Sequence, residues 1–355
     1  MSEGKPKSWV EQVRGDEWSS WSARRQSAFL RLAVEYWQQR GSPYYELTDS
    51  QIARELELLV GSDPSRILRG NTLMSSTTGL RLANYFHPQM WHVRCTRYLS
   101  PVETFSDPRR LRVAIAKAMR IWPDRYGARG TTLRRMLRSF SNTVGVSNFR
   151  PTAARAIMHR FSPAGGCVLD FSAGYGGRLL AALTLDRSYV GIDVSQAQTS
   201  GLRAMVARCA PKLGYRREAR IIRGSAEETL HEIPRRSVDL VFSSPPYFDR
   251  KKYGTEPDQS FIRYPTLEGW IEGFLNVIML ESARILRQGG VLVLNVGNIP
   301  ERLPAFVRQW RHPSLHLQRT MRLQLAKLPY KRTNALDAFK TEPVFVFEKV
   351  GGASR

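Results

Sequence analysis

Cysteine is scarce in this chain of 355 residues: Cys95, Cys167 and Cys209 are the three present, far apart and in no C-x-x-C pair. That excludes a disulfide framework and a cysteine-based zinc site. No metal is expected, and the compartment is expected to be reducing: cytoplasmic, or nucleoid-associated in a prokaryote. Long apolar runs are missing as well, since nothing approaches the ~18 consecutive apolar residues of a membrane span. Met1 to Lys7 is polar and charged with no apolar stretch behind it, so neither a secretory leader nor a membrane partner is expected. No G-K-[ST] follows a glycine-rich turn, which excludes a P-loop, and the G-x-G-x-x-G of nicotinamide dinucleotide sites is not met. Acidic residues are in short supply, 31 against 54 Lys plus Arg, for a formal charge of +23. Such an excess repels itself in a compact fold and is relieved by a polyanion, which points to a nucleic-acid partner.

What is present is a packed globular composition, 42% hydrophobic and 10% aromatic. The pattern changes near residue 148. Residues 1–147 read as a mainly helical, basic region, expected to bind DNA and recognise the target. Helical periodicity covers Ser22 to Gln39, Asp49 to Val60 with Asp49 as its cap, and Pro108 to Ile121. A short helix or turn from Thr131 to Phe140 carries Arg134, Arg135 and Arg138, a solvated face or, as expected here, a phosphate-facing one.

Residues 148–355 alternate strand and helix. Apolar strands are expected at Cys167–Phe171, Tyr189–Asp193, Ala219–Arg223, Val238–Phe242 and Val291–Val296. A long helix from Leu267 to Arg287 is expected to stop at Gly289-Gly290, and Leu315–Leu328 and Val344–Phe347 form a final antiparallel pair. The fold class is therefore α/β: a doubly wound, seven-stranded, mostly parallel sheet, Rossmann-like, with the helical basic region in front.

Four segments carry the chemistry. Asp170-Phe171-Ser172-Ala173-Gly174-Tyr175-Gly176-Gly177 joins a strand to a helix, and Gly174 and Gly176 permit a tight turn with a ligand close to backbone N–H groups. Asp193 ends the next strand, where its carboxylate can accept from ribose hydroxyls or cap the following helix. Gly224-Ser225-Ala226-Glu227 follows the third strand, where small residues leave room for a purine that Ser225 could bond, or make an ordinary polar turn. Ser243-Ser244-Pro245-Pro246-Tyr247 ends the fourth. Its two prolines stop a ladder and hold the backbone extended, so the Ser244 hydroxyl and the Pro245 carbonyl can accept from one NH₂ group while Tyr247 offers a ring for stacking.

Together these residues resemble the amino-methyltransferases, the S-adenosylmethionine-dependent DNA enzymes that methylate N4 of cytosine or N6 of adenine. That family's fourth motif reads [DNS]-P-P-[YFW], and the serine form is commoner in the cytosine-N4 branch. Its first motif reads D-P-F-A-G-x-G-T; here Phe171 and Ser172 stand at the Pro and Phe positions and Gly177 at the Thr, and Ser225 stands where the family has Asp. The resemblance implies S-adenosylmethionine as cofactor. It implies cofactor contacts at Asp170, Phe171, Ser172, Ala173, Gly174, Gly176, Asp193, Ser225, Ala226 and Ser243, with Phe149 and Arg150 at the methionine end, Arg150 on the carboxylate or on a phosphate. Catalysis falls to Ser244, Pro245, Pro246 and Tyr247. Carbon-5 methylation is argued against, since it needs a cysteine in the fourth motif.

A base inside a duplex cannot reach such a pocket, so DNA with a flipped base is the expected partner. Arg250, Lys251, Lys252, Tyr253, Arg263 and Tyr264, in the loop after the prolines, are expected to bind the strand together with Arg134, Arg135 and Arg138. The rivals are adenine-N6 methylation of DNA, base-amine methylation of RNA or tRNA, and a silent fold that only binds nucleic acid.

Overall fold

The computed structural model describes residues 8–74, 76–95, 98–139, 143–249, 251–298, 302–327 and 338–351. The chain forms two compact units. One takes the described residues of Met1–Glu46, Pro88–Ser147 and Lys251–Tyr253; the other takes those of Leu47–His87, Asn148–Arg250 and Gly254–Arg355.

The first unit is helical, and its two longest described helices start at side-chain caps. Ser22 accepts from the Arg25 amide at the head of the helix Ala23–Arg40, which buries Phe29, Leu30, Ala33, Val34, Tyr36 and Trp37 and stops at Gly41, φ +87°. Asp107 accepts from the Arg109 and Arg110 amides, and Pro108 opens the helix Pro108–Ile121. A third helix spans Gly130–Ser139. Arg94–Cys95 and Lys251–Lys252 pair as a small antiparallel ribbon.

The second unit is built on a nine-stranded sheet. Its strands are β1 (Leu68–Arg69), β2 (Thr72–Leu73), β3 (Cys167–Asp170), β4 (Ser188–Asp193), β5 (Ala219–Arg223), β6 (Val238–Ser243), β7 (Leu286–Asn295), β8 (Leu315–Lys327) and β9 (Phe339–Lys349). The spatial order is β1-β2-β8-β9-β7-β6-β3-β4-β5. Strands β5, β4, β3, β6 and β7 run parallel, while β9 is antiparallel to both β7 and β8. Alternate residues serve opposite cores, because successive strand side chains point to opposite faces. Val168, Leu240 and Val293 join one cluster with Ile157, Leu179 and Leu202; Leu169, Val241 and Leu292 join another with Trp270, Ile278 and Met279. A sheet covered on both faces explains why these strands read as unbroken apolar runs.

The seven expected strands take the order of the methyltransferase variant of the doubly wound fold, and β1 and β2 extend the sheet. Three local expectations change. The helix Asp49–Val60 is capped by Thr48, in a capping box with Gln51, and not by Asp49. The long stretch from Leu267 is interrupted by a π-turn at Ile271–Asn276, and its last helix ends at Ile285. Gly289 and Gly290 do not stop that helix; they lie inside β7, with Gly289 at φ +73°, where the register against β6 shifts between Val238 and Leu240.

Candidate active site

The carboxyl ends of β3, β4 and β6 converge on one edge of the sheet, the place where open α/β sheets bind ligands. Asp170, wholly buried at the end of β3, is the hub. Its carboxylate accepts from Arg178 Nε at 2.6 Å, Ser243 Oγ at 2.7 Å, Tyr189 OH at 2.8 Å and the Ser172 amide at 3.3 Å. Arg178 also donates to the Ser172 carbonyl and lies 5.5 Å from the Phe149 ring centroid and 5.9 Å from that of Phe242. Burial and the Asp170 charge push the Tyr189 phenol well above its usual range.

The glycine-rich turn is fixed from two sides. Gly174 and Gly176 have φ of +54° and +75°, values that favour glycine. Gly177 has no room for a side chain, because a Cβ would stand 1.9 Å from the Phe149 carbonyl oxygen. Asn148 accepts from the Gly177 amide at 3.2 Å and donates to the Tyr175 carbonyl at 2.7 Å. On the other side Asp193 accepts from the Gly174 amide at 2.8 Å and the Ser195 amide at 3.0 Å. Its enclosure raises the carboxyl to about 6, against the pull of those two bonds. Ala173 is buried and donates its amide to Ile192 O. Phe171 packs into the core with Leu169, Ile192 and Ala226.

At the end of β6, Ser244 is partly exposed and Pro245 buried. The Ser244 hydroxyl lies 3.2 Å from Tyr247 OH and 3.4 Å from Asn295 Oδ1. Tyr247 OH donates to Asn295 Oδ1 at 3.3 Å or to Glu342 Oε2 at 3.2 Å, and its ring lies against Gly297. Pro246 stays in the partly exposed turn.

The remaining residues named from the sequence scatter. Arg150 donates to the Gln324 carbonyl, and burial lowers its pKa. Ser225 is buried and bonded to Glu228 at 2.7 Å and to Arg263 at 3.2 Å. Arg263 is held by Glu227 at 3.1 Å, Glu228 at 2.8 Å and Asp258 at 2.8 Å. The Tyr264 ring packs against Gly273. Lys251, Lys252 and Tyr253 belong to the helical unit, and Arg250 lies outside the described residues. In that same unit Arg134 donates to the Pro43 and Tyr44 carbonyls and Arg138 to Val146 O, whereas exposed Arg135 lies over the Trp122 ring at 5.0 Å.

Five participants escape a sequence reading: Arg178, Tyr189, Asn148, Asn295 and Glu342. Asn295 left a signal, as the polar residue closing the apolar run Val291–Leu294. Glu342 left none. It arrives because β9 runs antiparallel to β7, pairing Val344 with Asn295 and so bringing the start of β9 to the site.

No protein-family profile and no curated protein matches the chain. Among solved structures, TrmN from Thermus thermophilus aligns at 21% identity and a TM-score of 0.38, over 56% of this chain and 49% of that one, about half its length. An rRNA methylase from Streptococcus thermophilus aligns at 12% identity and a TM-score of 0.37, over 58% of this chain and 100% of that one. SMU.1697c from Streptococcus mutans, solved in complex with SAH, aligns at 13% identity with the same TM-score and the same two coverages. At this level the likeness is one of chain trace, and the strand order itself carries the fold assignment.

Proposed function

We propose that the chain is an S-adenosylmethionine-dependent methyltransferase acting on an exocyclic base amine in nucleic acid, with N4 of cytosine in DNA as the target that the Ser-Pro-Pro-Tyr form favours. One observation carries the reading. The partly exposed Ser244 hydroxyl directly follows β6, next to β3 with its glycine turn, and β4 with Asp193 lies just beyond.

The cradle fits the cofactor. Gly174 leaves its backbone open, since a Cβ there would meet nothing nearer than Ser172 O at 3.7 Å. Each Asp193 oxygen takes one backbone N–H and keeps lone-pair capacity for a ribose hydroxyl. When bound, the cofactor supplies a methyl group activated on a sulfonium.

The chain's own residues then have to hold and sharpen the amine. An exocyclic nitrogen is a weak nucleophile because its lone pair is delocalised into the ring. Ser244 Oγ and the Pro245 carbonyl accept its two hydrogens, draw them out of the ring plane and stabilise the charge that develops on nitrogen. Asn295, Tyr247 and Glu342 keep the Ser244 hydroxyl oriented. Tyr247, tied by its hydroxyl, holds its ring in place for stacking on a base that must leave a duplex to be reached.

Incubation with labelled cofactor and duplex DNA, single-stranded DNA or RNA, followed by nucleoside analysis, tests the reading. N4-methylcytosine in DNA is expected. N6-methyladenine moves the target base, and label confined to RNA replaces DNA as substrate. No transfer and no cofactor binding overturns the enzyme reading.

A further inference from the structure

We propose that the solvent face of the helix Pro108–Ile121 docks on the phosphodiester backbone of nucleic acid. The proposal rests on the nucleic-acid substrate of the preceding reading and names the surface that holds it.

At ~100° per residue, Arg109, Arg110, Val113, Lys117, Arg120 and Ile121 fall within one arc of ~120°. All six are exposed, Val113 by 64% and Ile121 by 41%. The opposite arc, Leu111, Ala114, Ile115, Ala118 and Met119, is completely buried. The exposed face thus holds four cations and two aliphatic side chains, and the whole helix contains no Asp or Glu. An ordinary solvent face mixes signs, because i,i+4 pairs of opposite charge support a helix and like charges weaken it. Arg110 reaches Asp107 at 3.2 Å, just ahead of the helix, and Arg120 lies 5.8 Å from the Trp18 ring centroid. Residues 88–147 contain twelve Lys and Arg against three Asp and Glu, so the sequence around the face is basic too.

A polyanion removes this self-repulsion. Arg109 to Arg120 spans ~16 Å at 1.5 Å per residue, and one duplex strand presents a phosphate every ~3.4 Å of axis, so the face can follow several consecutive phosphates. Lipid is the poorer occupant. An interfacial helix gives its apolar face to the membrane, but here that face is buried in the unit's core, which leaves only Val113 and Ile121. Arg134 and Arg138 differ from this face in that their guanidinium groups bond backbone carbonyls.

The test compares the full-length wild type with a variant carrying Arg109→Gln, Arg110→Gln, Lys117→Gln and Arg120→Gln, and with Val113→Glu alone. Fluorescence anisotropy on a short DNA duplex and on an RNA hairpin over a salt series reads affinity and its salt slope. Each lost duplex phosphate contact lowers the slope by ~0.9, so the fourfold variant is expected to lose about 3 to 4 in slope and more than tenfold in affinity at ~0.1 M salt. Cofactor affinity, read by calorimetry, stays at the wild-type value and shows that the variant is folded. Val113→Glu weakens binding in the same direction. The DNA and RNA arms identify which backbone is bound. Unchanged affinity and slope overturn the proposal, as does binding to phosphatidylserine vesicles in place of nucleic acid. A chain that binds through this face but transfers no methyl group leaves the surface standing and removes the enzyme reading. Equal methylation of long nucleic acid by wild type and variant does the reverse.

Discussion

Asp170→Asn separates a packing role for the β3 terminus from an electrostatic one, because the substitution keeps volume and one acceptor oxygen. Asp170 and Arg178 are buried against each other with 2.6 Å between Oδ2 and Nε. Removing the negative partner leaves a guanidinium in a site with no counter-charge among its hydrogen-bond partners, the other being the Ser172 carbonyl. Breaking a buried pair in this way costs ~3–5 kcal/mol, a large part of a typical stability of ~5–15 kcal/mol. With an m-value near ~3 kcal/mol per molar urea, the unfolding midpoint falls by ~1 M or more. Urea unfolding followed by circular dichroism reads this directly. The companion variant Asp170→Asn with Arg178→Met removes both charges, and an apolar replacement of a buried pair is often close to neutral. It is expected to be more stable than Asp170→Asn alone, although Tyr189 and Ser243 donate to different Asp170 oxygens and Asn keeps one of the two. A single-variant loss below ~1 kcal/mol, or a double variant no better than the single, refutes the reasoning.

Other predictions follow from the same edge of the sheet. The Asp193 carboxyl sits at about 6 in the fold against an ordinary 3.8. The native state therefore holds that proton more tightly than the unfolded chain. Its contribution to stability falls as pH rises from about 4 to about 6, while the ionised form, the one able to accept ribose hydroxyls, is half filled at about 6 and fills above it. Cofactor affinity measured by calorimetry should thus rise towards neutral pH and level off above about 7, with the dependence gone in Asp193→Asn; a flat wild-type profile rejects the ribose role. Gly177→Ala drives a Cβ to 1.9 Å from a backbone oxygen and 2.8 Å from Asn148 Oδ1, and overpacking of this kind costs ~1–3 kcal/mol. A lower melting temperature and weaker cofactor binding are expected; wild-type values for both would show that the turn yields freely. Ser244→Ala should lower kcat by ~10²–10³, the size of one lost preorganised contact, with cofactor affinity intact. Normal turnover would remove Ser244 from the chemistry.

Local signals were legible and long-range ones were not. Apolar runs between turn residues located β3, β4 and β6 to within one residue at each end, because strands buried on both faces need no partner in sequence to look apolar, whereas β7 begins five residues ahead of its apolar run, at Leu286. The helix Pro108–Ile121 was delimited by Asp107-Pro108 at one end and the loss of periodicity at the other. By contrast β1 and β2 are two residues each, and β2 joins the sheet by pairing Thr72 with Arg322 and Leu73 with Leu323, about 250 residues away. No window of sequence contains that information. The glycine pair 289–290 misled for a related reason: glycine marks both helix ends and bulged strands, and only the register of β6 against β7 decides between them.

The arginines make the same point about function. A charge of +23 invites the inference that Lys and Arg contact phosphate, yet many arginines here hold the fold together. Arg155 donates to the Thr184 and Val60 carbonyls, Arg187 to Ser162 and the Leu185 carbonyl, and Arg178 to Asp170. Arg263, read from the sequence as a strand-binding residue, stands among three carboxylates. A guanidinium has five donors in a rigid fork, which suits it to carbonyl-rich turns as well as to phosphates. Net charge alone therefore overstates the nucleic-acid footprint. Separating the two uses requires knowing which arginines face solvent without an acidic neighbour in sequence. The helix Pro108–Ile121 comes nearest to that condition at Arg109 and Arg120: exposure and spacing coincide there on a helix that holds no Asp or Glu, and Asp107 and Asp124 lie just outside its ends. A phosphate-binding surface is better inferred from that coincidence than from composition.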